Sequence, residues 1–305
     1  MIKGKQYLLG LFMMVNFLFV YADDTRPLVK KEEPKAEEKI VPDKDVKWPA
    51  QTWTMPAEKV NGQKYSNLDE EDLIGTYEQP RWTAHRRFAG TRVFVLPEGE
   101  IDAEFWFISK INKRSNGGGA TNFTQTEIEF GLPHRFQFDL YFITRHKTGT
   151  GETKYDIAPE IRYALGKWGE LWGNPTLYLE YKYQQDAPDI VETKILFGGE
   201  MASHWHWGTN FVWEQETGGE RENVLEVTNA LSYTLCDEKL SVGLEAKSEI
   251  ANVAGDREHW GNNVRIGPSI QYRPMKRIHL DFVAIFGVTS ESRLADIFFI
   301  AGFEF

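Results

Sequence analysis

Hydrophobic and polar positions alternate with a period of two from about Gly90 to the last residue, the pattern of strands that are apolar on one face and polar on the other. In GEIDAEFWFISKIN, residues 99–112, Ile101, Ala103, Phe105 and Phe107 share one side, and Asp102, Glu104 and Trp106 share the other. A second run sets Glu127 and Glu129 against Ile128 and Phe130. The short Leu132-Pro133-His134-Arg135 turn then leads into Phe136, Phe138, Leu140 and Phe142, which predicts a tight hairpin. Nine further runs follow over residues 153–166, 175–184, 190–202, 205–216, 223–235, 240–250, 263–273, 278–288 and 293–305. Each is about the 9 to 11 residues that a tilted transmembrane strand needs, or slightly more.

The connections alternate in character as well. Residues 133–135, 203–204, 237–239 and 275–277 are short, whereas 113–119, 149–152, 218–222 and 251–262 are looser and richer in glycine. Short periplasmic turns opposite longer outer loops explain that contrast. Residues 167–174 are long for a periplasmic turn and 289–292 short for an outer loop, so the expected count is about twelve strands, within 10 to 14. An even count places both ends of the barrel on the periplasmic side.

A soluble sandwich alternates too, so residue identity must separate the two folds. The apolar faces hold Phe, Ile, Leu, Val and Tyr, and Trp168, Trp172, Trp205, Trp207 and Trp213 fall at or near strand ends, where interfacial belts place amphipathic rings. The polar faces carry paired charges, as a lumen lining should. Asp102, Glu104, Glu127, Glu129, Asp139, Glu180, Glu192 and Glu245 are the expected acidic lining, and Arg145, Arg162, Lys182, Arg265 and Arg273 the basic one. Acid is in excess. The fold class that follows is all-β, a closed antiparallel transmembrane β-barrel, whose closure also removes exposed strand edges.

The N-terminal third reads differently. MIKGKQ supplies two lysines, and YLLGLFMMVNFLFV follows as an uncharged apolar run before Val20-Tyr21-Ala22, which predicts a signal peptide over residues 1–22. Residues 23–47 are charged, proline-bearing and nearly free of aromatics, as expected of a disordered periplasmic leader. Residues 48–90 contain Trp48, Trp53, Tyr65, Tyr77 and Trp82. That stretch has anchors enough to dock beneath the barrel mouth or to enter it as a plug, and a loosely ordered linker is the plain alternative. The barrel is expected over residues 91–305.

Composition supports export to a membrane. Aromatic residues make up 14% of the 305 and hydrophobic residues only 41%, while the net charge of −10 speaks against a nucleic-acid partner. Cys236 is the single cysteine, which excludes an intramolecular disulfide. In the last strand Ile297, Phe299, Ala301, Phe303 and Phe305 share one face. This end resembles the terminal strand of bacterial outer-membrane barrels, in which a final phenylalanine is read by the assembly machinery, so Phe303 and Phe305 are the expected assembly signal. The segment GTRVFVLPEGEIDAEFWF, with Pro97 and Gly99 ahead of the first acidic–apolar strand, resembles the start of the barrel in a broad outer-membrane group associated with the meta-pathway of phenol degradation. The resemblance implies a medium-size barrel, with uptake of small hydrophobic or aromatic compounds as one role.

No catalytic constellation emerges. His204 and His206 would share a strand face, yet they lie beside a turn without a fixed third ligand, and interfacial filler is the simpler reading. Glu127 with Glu129 and Glu245 with Glu249 are acids at strand spacings that any polar lumen displays. Ser203 and His204 are adjacent and point to opposite faces, which disfavours a membrane-embedded hydrolase. The expected function is a narrow passive channel for an unidentified small solute in the bacterial outer membrane, without cofactor or metal. Its partners would be the lipid bilayer, lipopolysaccharide and the outer-membrane assembly machinery. The alternatives are a structural or partner-binding barrel with a plugged lumen and, less favoured, the hydrolase.

Overall fold

A computed structural model describes residues 68–305. The expected signal peptide, the leader and the aromatic-bearing stretch up to residue 67 lie outside these residues.

The described chain begins with a 3-10 turn at Asp69–Glu71 and a two-residue ladder between β1 (Leu73–Ile74) and β2 (Gln79–Pro80). Gly75 makes the reversal between them possible: its φ of 65° lies in the left-handed region, and an added Cβ would sit 2.9 Å from the Pro97 ring. A second 3-10 turn at Arg81–Ala84 follows, and the chain then runs irregularly to residue 100.

Twelve strands complete the molecule. They are β3 (Ile101–Ile111), β4 (Ala120–Leu132), β5 (Phe136–Lys147), β6 (Thr153–Ala164), β7 (Thr176–Gln184) and β8 (Ile190–Ala202), then β9 (Trp205–Glu216), β10 (Asn223–Cys236), β11 (Leu240–Val253), β12 (Asp256–Met275), β13 (Ile278–Gly287) and β14 (Ala295–Glu304). Each pairs antiparallel with its chain neighbours, and β14 closes on β3 from Ala295 opposite Ile111 to Glu304 opposite Asp102. The result is a closed up-and-down barrel of twelve strands, which leaves no free edge. Among the described residues no helix is long and apolar enough to cross a membrane; the strands do the spanning.

Alternation sorts the side chains as the strand period requires. Phe105, Phe107, Phe142, Ile161, Leu179, Ile195, Phe211, Leu244, Ile270, Phe282 and Phe299 are exposed on the outside, while Glu104, Glu127, Asp139, Glu160, Asn210 and Ser248 are buried within. In water that exterior would be a continuous apolar surface far beyond what a soluble monomer tolerates, and hydrocarbon is the solvent it fits. The fold is therefore that of a transmembrane barrel with a polar interior.

Three details depart from the sequence reading. The barrel begins at Ile101 and not at residue 91, because residues 91–100 belong to the segment that precedes it. Residues 251–262 do not form a loose outer loop: β11 and β12 extend through them as a hairpin around Ala254 and Gly255, with Val253 opposite Asp256. The exposed DREHWGN sequence at 256–262 conceals this extension, since both of its faces are wet and no apolar period marks it. Trp168 does not join a lipid-facing belt. It lies in the long connection between β6 and β7 and folds inward, edge-on to Trp82 at 5.6 Å and to Phe94 at 5.4 Å. The length of that turn is thus explained by what it covers.

Candidate functional site

Residues 79–97 lie largely inside the barrel, and residues 68–78 and 98–100 lie at its mouth. Trp82, Phe88, Phe94, Val95 and Leu96 are buried there, and so are Arg86 and Arg87. A twelve-stranded barrel is wider than the eight-stranded barrels that side chains alone fill, so a stretch of chain can be accommodated. Small residues on the wall make room: a Cβ on Gly208 would lie 2.9 Å from the Thr91 methyl, and one on Gly198 would overlap the Val93 side chain.

The segment enters and leaves at one end. Backbone amides of Asp69 and Glu70 donate to the Asp237 carboxylate in the β10–β11 turn, at 2.7 and 3.1 Å. The Trp168 amide donates to the Tyr77 carbonyl at 3.2 Å, and the Tyr77 hydroxyl donates to the Leu132 carbonyl. On the way out, the Gly99 amide donates to the Gly131 carbonyl and the Gly131 amide to the Glu100 carbonyl, both at 2.9 Å. Leu132, Trp168 and Asp237 all belong to the short-turn end, the end that faces the periplasm in outer-membrane barrels generally. Between these points the chain reaches mid-strand depth. Glu245, in the middle of β11, accepts from the amides of Ala89 at 3.0 Å and Gly90 at 2.7 Å. Asn210, in the middle of β9, accepts from the Arg92 amide at 2.9 Å and donates to the Arg92 carbonyl at 2.8 Å. Gln137 accepts from the Leu96 amide at 2.6 Å, and Gln271 donates to the Arg86 carbonyl. Barrel side chains thus satisfy an irregular backbone that would otherwise be stranded without partners.

Charge fixes the orientation. The Arg86 guanidinium donates to both oxygens of Glu104 at 2.9 and 2.7 Å, to Glu127 at 3.1 Å and to Glu129 at 3.2 Å, while it lies 4.2 Å over the Trp106 ring. Arg92 reaches Glu127 and, at 2.9 Å, Glu129. Arg162, from β6, completes the neutralisation through Asp139 and Glu160. Gln137 bridges Glu129 at 2.7 Å and Asp139 at 2.8 Å. Five buried carboxylates, those of Glu104, Glu127, Glu129, Asp139 and Glu160, here meet three guanidinium groups. Like charges this close need cations or water among them, and with the segment seated its arginines supply the cations.

Further contacts secure the periplasmic end. Arg87 pairs with Glu70 at 2.7 Å and donates to Thr234 at 3.1 Å. Trp82 donates to Glu200 at 2.6 Å and packs on the His206 ring. Glu304 holds Arg273 at 2.8 Å and contacts His85, whose imidazole burial pushes down to about 4, so it is neutral at physiological pH.

Of the residues expected to line the lumen, Asp102, Glu104, Glu127, Glu129, Asp139 and Arg162 converge on one wall under the inserted arginines. Glu245 stands apart and receives the tip of the segment. Glu180, Glu192 and Lys182 border a cavity of about 180 Å³ at the tip, whose other side is lined by Arg86, Arg92 and Glu127; Lys194 lies 4.1 Å over the Tyr178 ring and 2.5 Å from Glu192. Arg145 pairs with Asp156 at 3.1 Å, and Arg265 with Glu249 at 2.7 Å and Asp296 at 3.3 Å, all away from the segment. Arg273 sits at the periplasmic rim beside a second cavity, of about 530 Å³. Phe303 and Phe305 are exposed, with ring centroids 4.9 Å apart. His204 and His206 do not share a face as expected. His204 takes a φ of 70° in the turn and stacks on Tyr233, whereas His206 is buried against Trp82, because strand alternation begins only at Trp205.

Arg86, Arg92 and His279 escaped the sequence reading. The excess of inward acids was the available signal for the arginines. For His279 it was the alternation with Asp281, which places both on the inner face.

No protein-family model matches the chain, and no curated protein matches it in sequence. A solved outer-membrane channel shares its fold. The COG4313 outer membrane channel from Pseudomonas putida F1 is 9% identical, over 70% of this chain and 98% of that one, with a TM-score of 0.52. NanC porin aligns over 66% of this chain and 97% of its own at 11% identity with a TM-score of 0.47, and KdgM porin over 66% and 99% at 6% identity with 0.44. At such identities the likeness concerns architecture, that of an outer-membrane β-barrel.

Proposed function

We propose that this protein is an outer-membrane channel held shut by its own residues 68–100. The observation that carries the reading is the pairing of Arg86 and Arg92 with Glu104, Glu127 and Glu129 in the lumen. Such a wall is a poor permanent core, since buried carboxylates tolerate burial only while neutralised, but it is a good lining for a water-filled pore. A plug held by charge and hydrogen bonds can exchange those partners for water when it leaves. An oily plug could not. The unplugged lumen would be narrow and acidic, and would favour cations or neutral solutes over anions. Small aromatic compounds, implied by the sequence resemblance, belong to the neutral class. Lipopolysaccharide and the assembly machinery are the partners this placement requires.

The test is a variant lacking residues 68–96, refolded in detergent and checked by its faster gel mobility before boiling. In planar bilayers it should carry cation-preferring current steps that the intact chain shows rarely. A folded variant that carries no current refutes the channel. The alternative of a permanently plugged, partner-binding barrel rests on the close fit of the segment to Gly131, Gly198 and Gly208, and it would then be left standing.

A further inference from the structure

From the seam where β13, β14 and β3 meet, we infer a binding site for one divalent transition-metal cation, held by His279, Asp102 and Glu104. His279 is completely buried, and its Nε2 lies 3.5 Å from a Glu104 oxygen and 3.8 Å from an Asp102 oxygen. These distances are long for hydrogen bonds. Accordingly His279 Nε2 and Asp102 Oδ1 are buried polar atoms without a hydrogen-bond partner, which a stable interior seldom leaves. One donor atom from each of the three residues falls within 4.8 Å of the other two. Ligands about 2.0–2.1 Å from a tetrahedral zinc ion stand roughly 3.3–3.4 Å apart, close to the separations around His279.

The surroundings fit a metal better than a bare histidine. The other imidazole nitrogen, Nδ1, lies 2.6 Å from Asp281, the carboxylate–histidine arrangement that orients metal-binding imidazoles and raises their basicity. Gly302 on β14 leaves the space, since a Cβ there would overlap the ring. Glu104 is engaged by Arg86 and by Trp106 Nε1 at 2.9 Å, and its two oxygens retain lone pairs beyond these bonds. Asp102 also lines the cavity of about 530 Å³ at the periplasmic mouth, which supplies a route of entry. Asp102 and Asp281 face His279 and not a guanidinium, so a dication at this edge adds positive charge where the arginines do not reach. One nitrogen and two oxygen donors select zinc(II) or manganese(II) over calcium.

Untagged, refolded full chain, stripped with chelator and confirmed as folded by gel mobility, is titrated with zinc(II) and separately with manganese(II). After desalting, metal content by mass spectrometry should approach one zinc per chain, with a higher thermal midpoint, and cobalt(II) should give the visible absorption of a tetrahedral site. Asp102→Asn and His279→Gln should abolish retention, and Asp281→Asn should weaken affinity about 10- to 100-fold. Glu192→Gln, an acid in the outer cavity, should change nothing. Less than about a tenth of an equivalent retained by folded wild type would overturn the site. So would equal retention by a folded His279→Gln variant, which would mark non-specific binding to the acidic lumen.

Discussion

Arg86 offers the sharpest test of how the inserted segment is held. Replacing it with methionine keeps a stem of similar length over Trp106 and removes the cation from Glu104, Glu127 and Glu129. Its side chain is only 3% exposed and that of Glu104 is fully buried, so solvent does not screen the pair. Removing one partner of a buried pair costs about 3–5 kcal/mol, chiefly because the other charge is left unpaired. Arg92 still serves Glu127 and Glu129, so the loss falls mainly on Glu104, which keeps the Trp106 indole as donor. The lower figure, about 3 kcal/mol, is therefore expected, equivalent to a shift of roughly a hundredfold between seated and released segment. The strand ladders do not depend on this residue, so the barrel should remain folded. Hydrogen exchange should reveal the shift at the Ala89, Gly90, Arg92 and Leu96 amides, whose acceptors are barrel side chains. Arg81 is the comparator. Its pair with Glu238 spans 3.0 Å at the rim, where 39% of the arginine side chain is exposed, so Arg81→Met should cost less than about 1 kcal/mol. Unchanged exchange in a folded Arg86→Met variant, or equal acceleration in both variants, would refute the charge-seated plug.

Other substitutions probe separate contacts. Gly131→Ala places a Cβ onto the Pro97 carbonyl where the segment leaves the lumen, and overpacking of this kind costs about 1–3 kcal/mol, to be read as a lower thermal midpoint. Glu245→Gln keeps an acceptor but loses the charge that receives the Ala89 and Gly90 amides, so their exchange should accelerate about five- to tenfold, for a loss near 1 kcal/mol. Phe305 is 68% exposed and adds little packing, so its deletion should leave detergent refolding intact while reducing outer-membrane insertion in cells. Equal insertion at normal expression would remove its role as an assembly signal.

Much of this architecture is written locally. Period-two alternation needs only neighbouring residues to specify a strand and its inner face, so the boundaries of β8 and β9 and the inward placement of Asp102, Glu127 and Arg162 are legible in the chain. The same logic marks its own limits. Residues 256–262 are wet on both faces and carry no period, so the β11–β12 extension is invisible until the strands pair. Residues 68–100 have no period either, and Arg86 and Arg92 look like any solvated arginines. Their meaning depends on Glu104, Glu127 and Glu129, which face one another only because β3 and β4 pair in a particular register. His279 and Asp102 are more distant still in sequence, and they meet because β14 lies between β13 and β3 when the barrel closes. Alternation is a property of one strand, whereas neutralising an acidic lumen is a property of the closed ring, so only the tertiary structure could decide what occupies it.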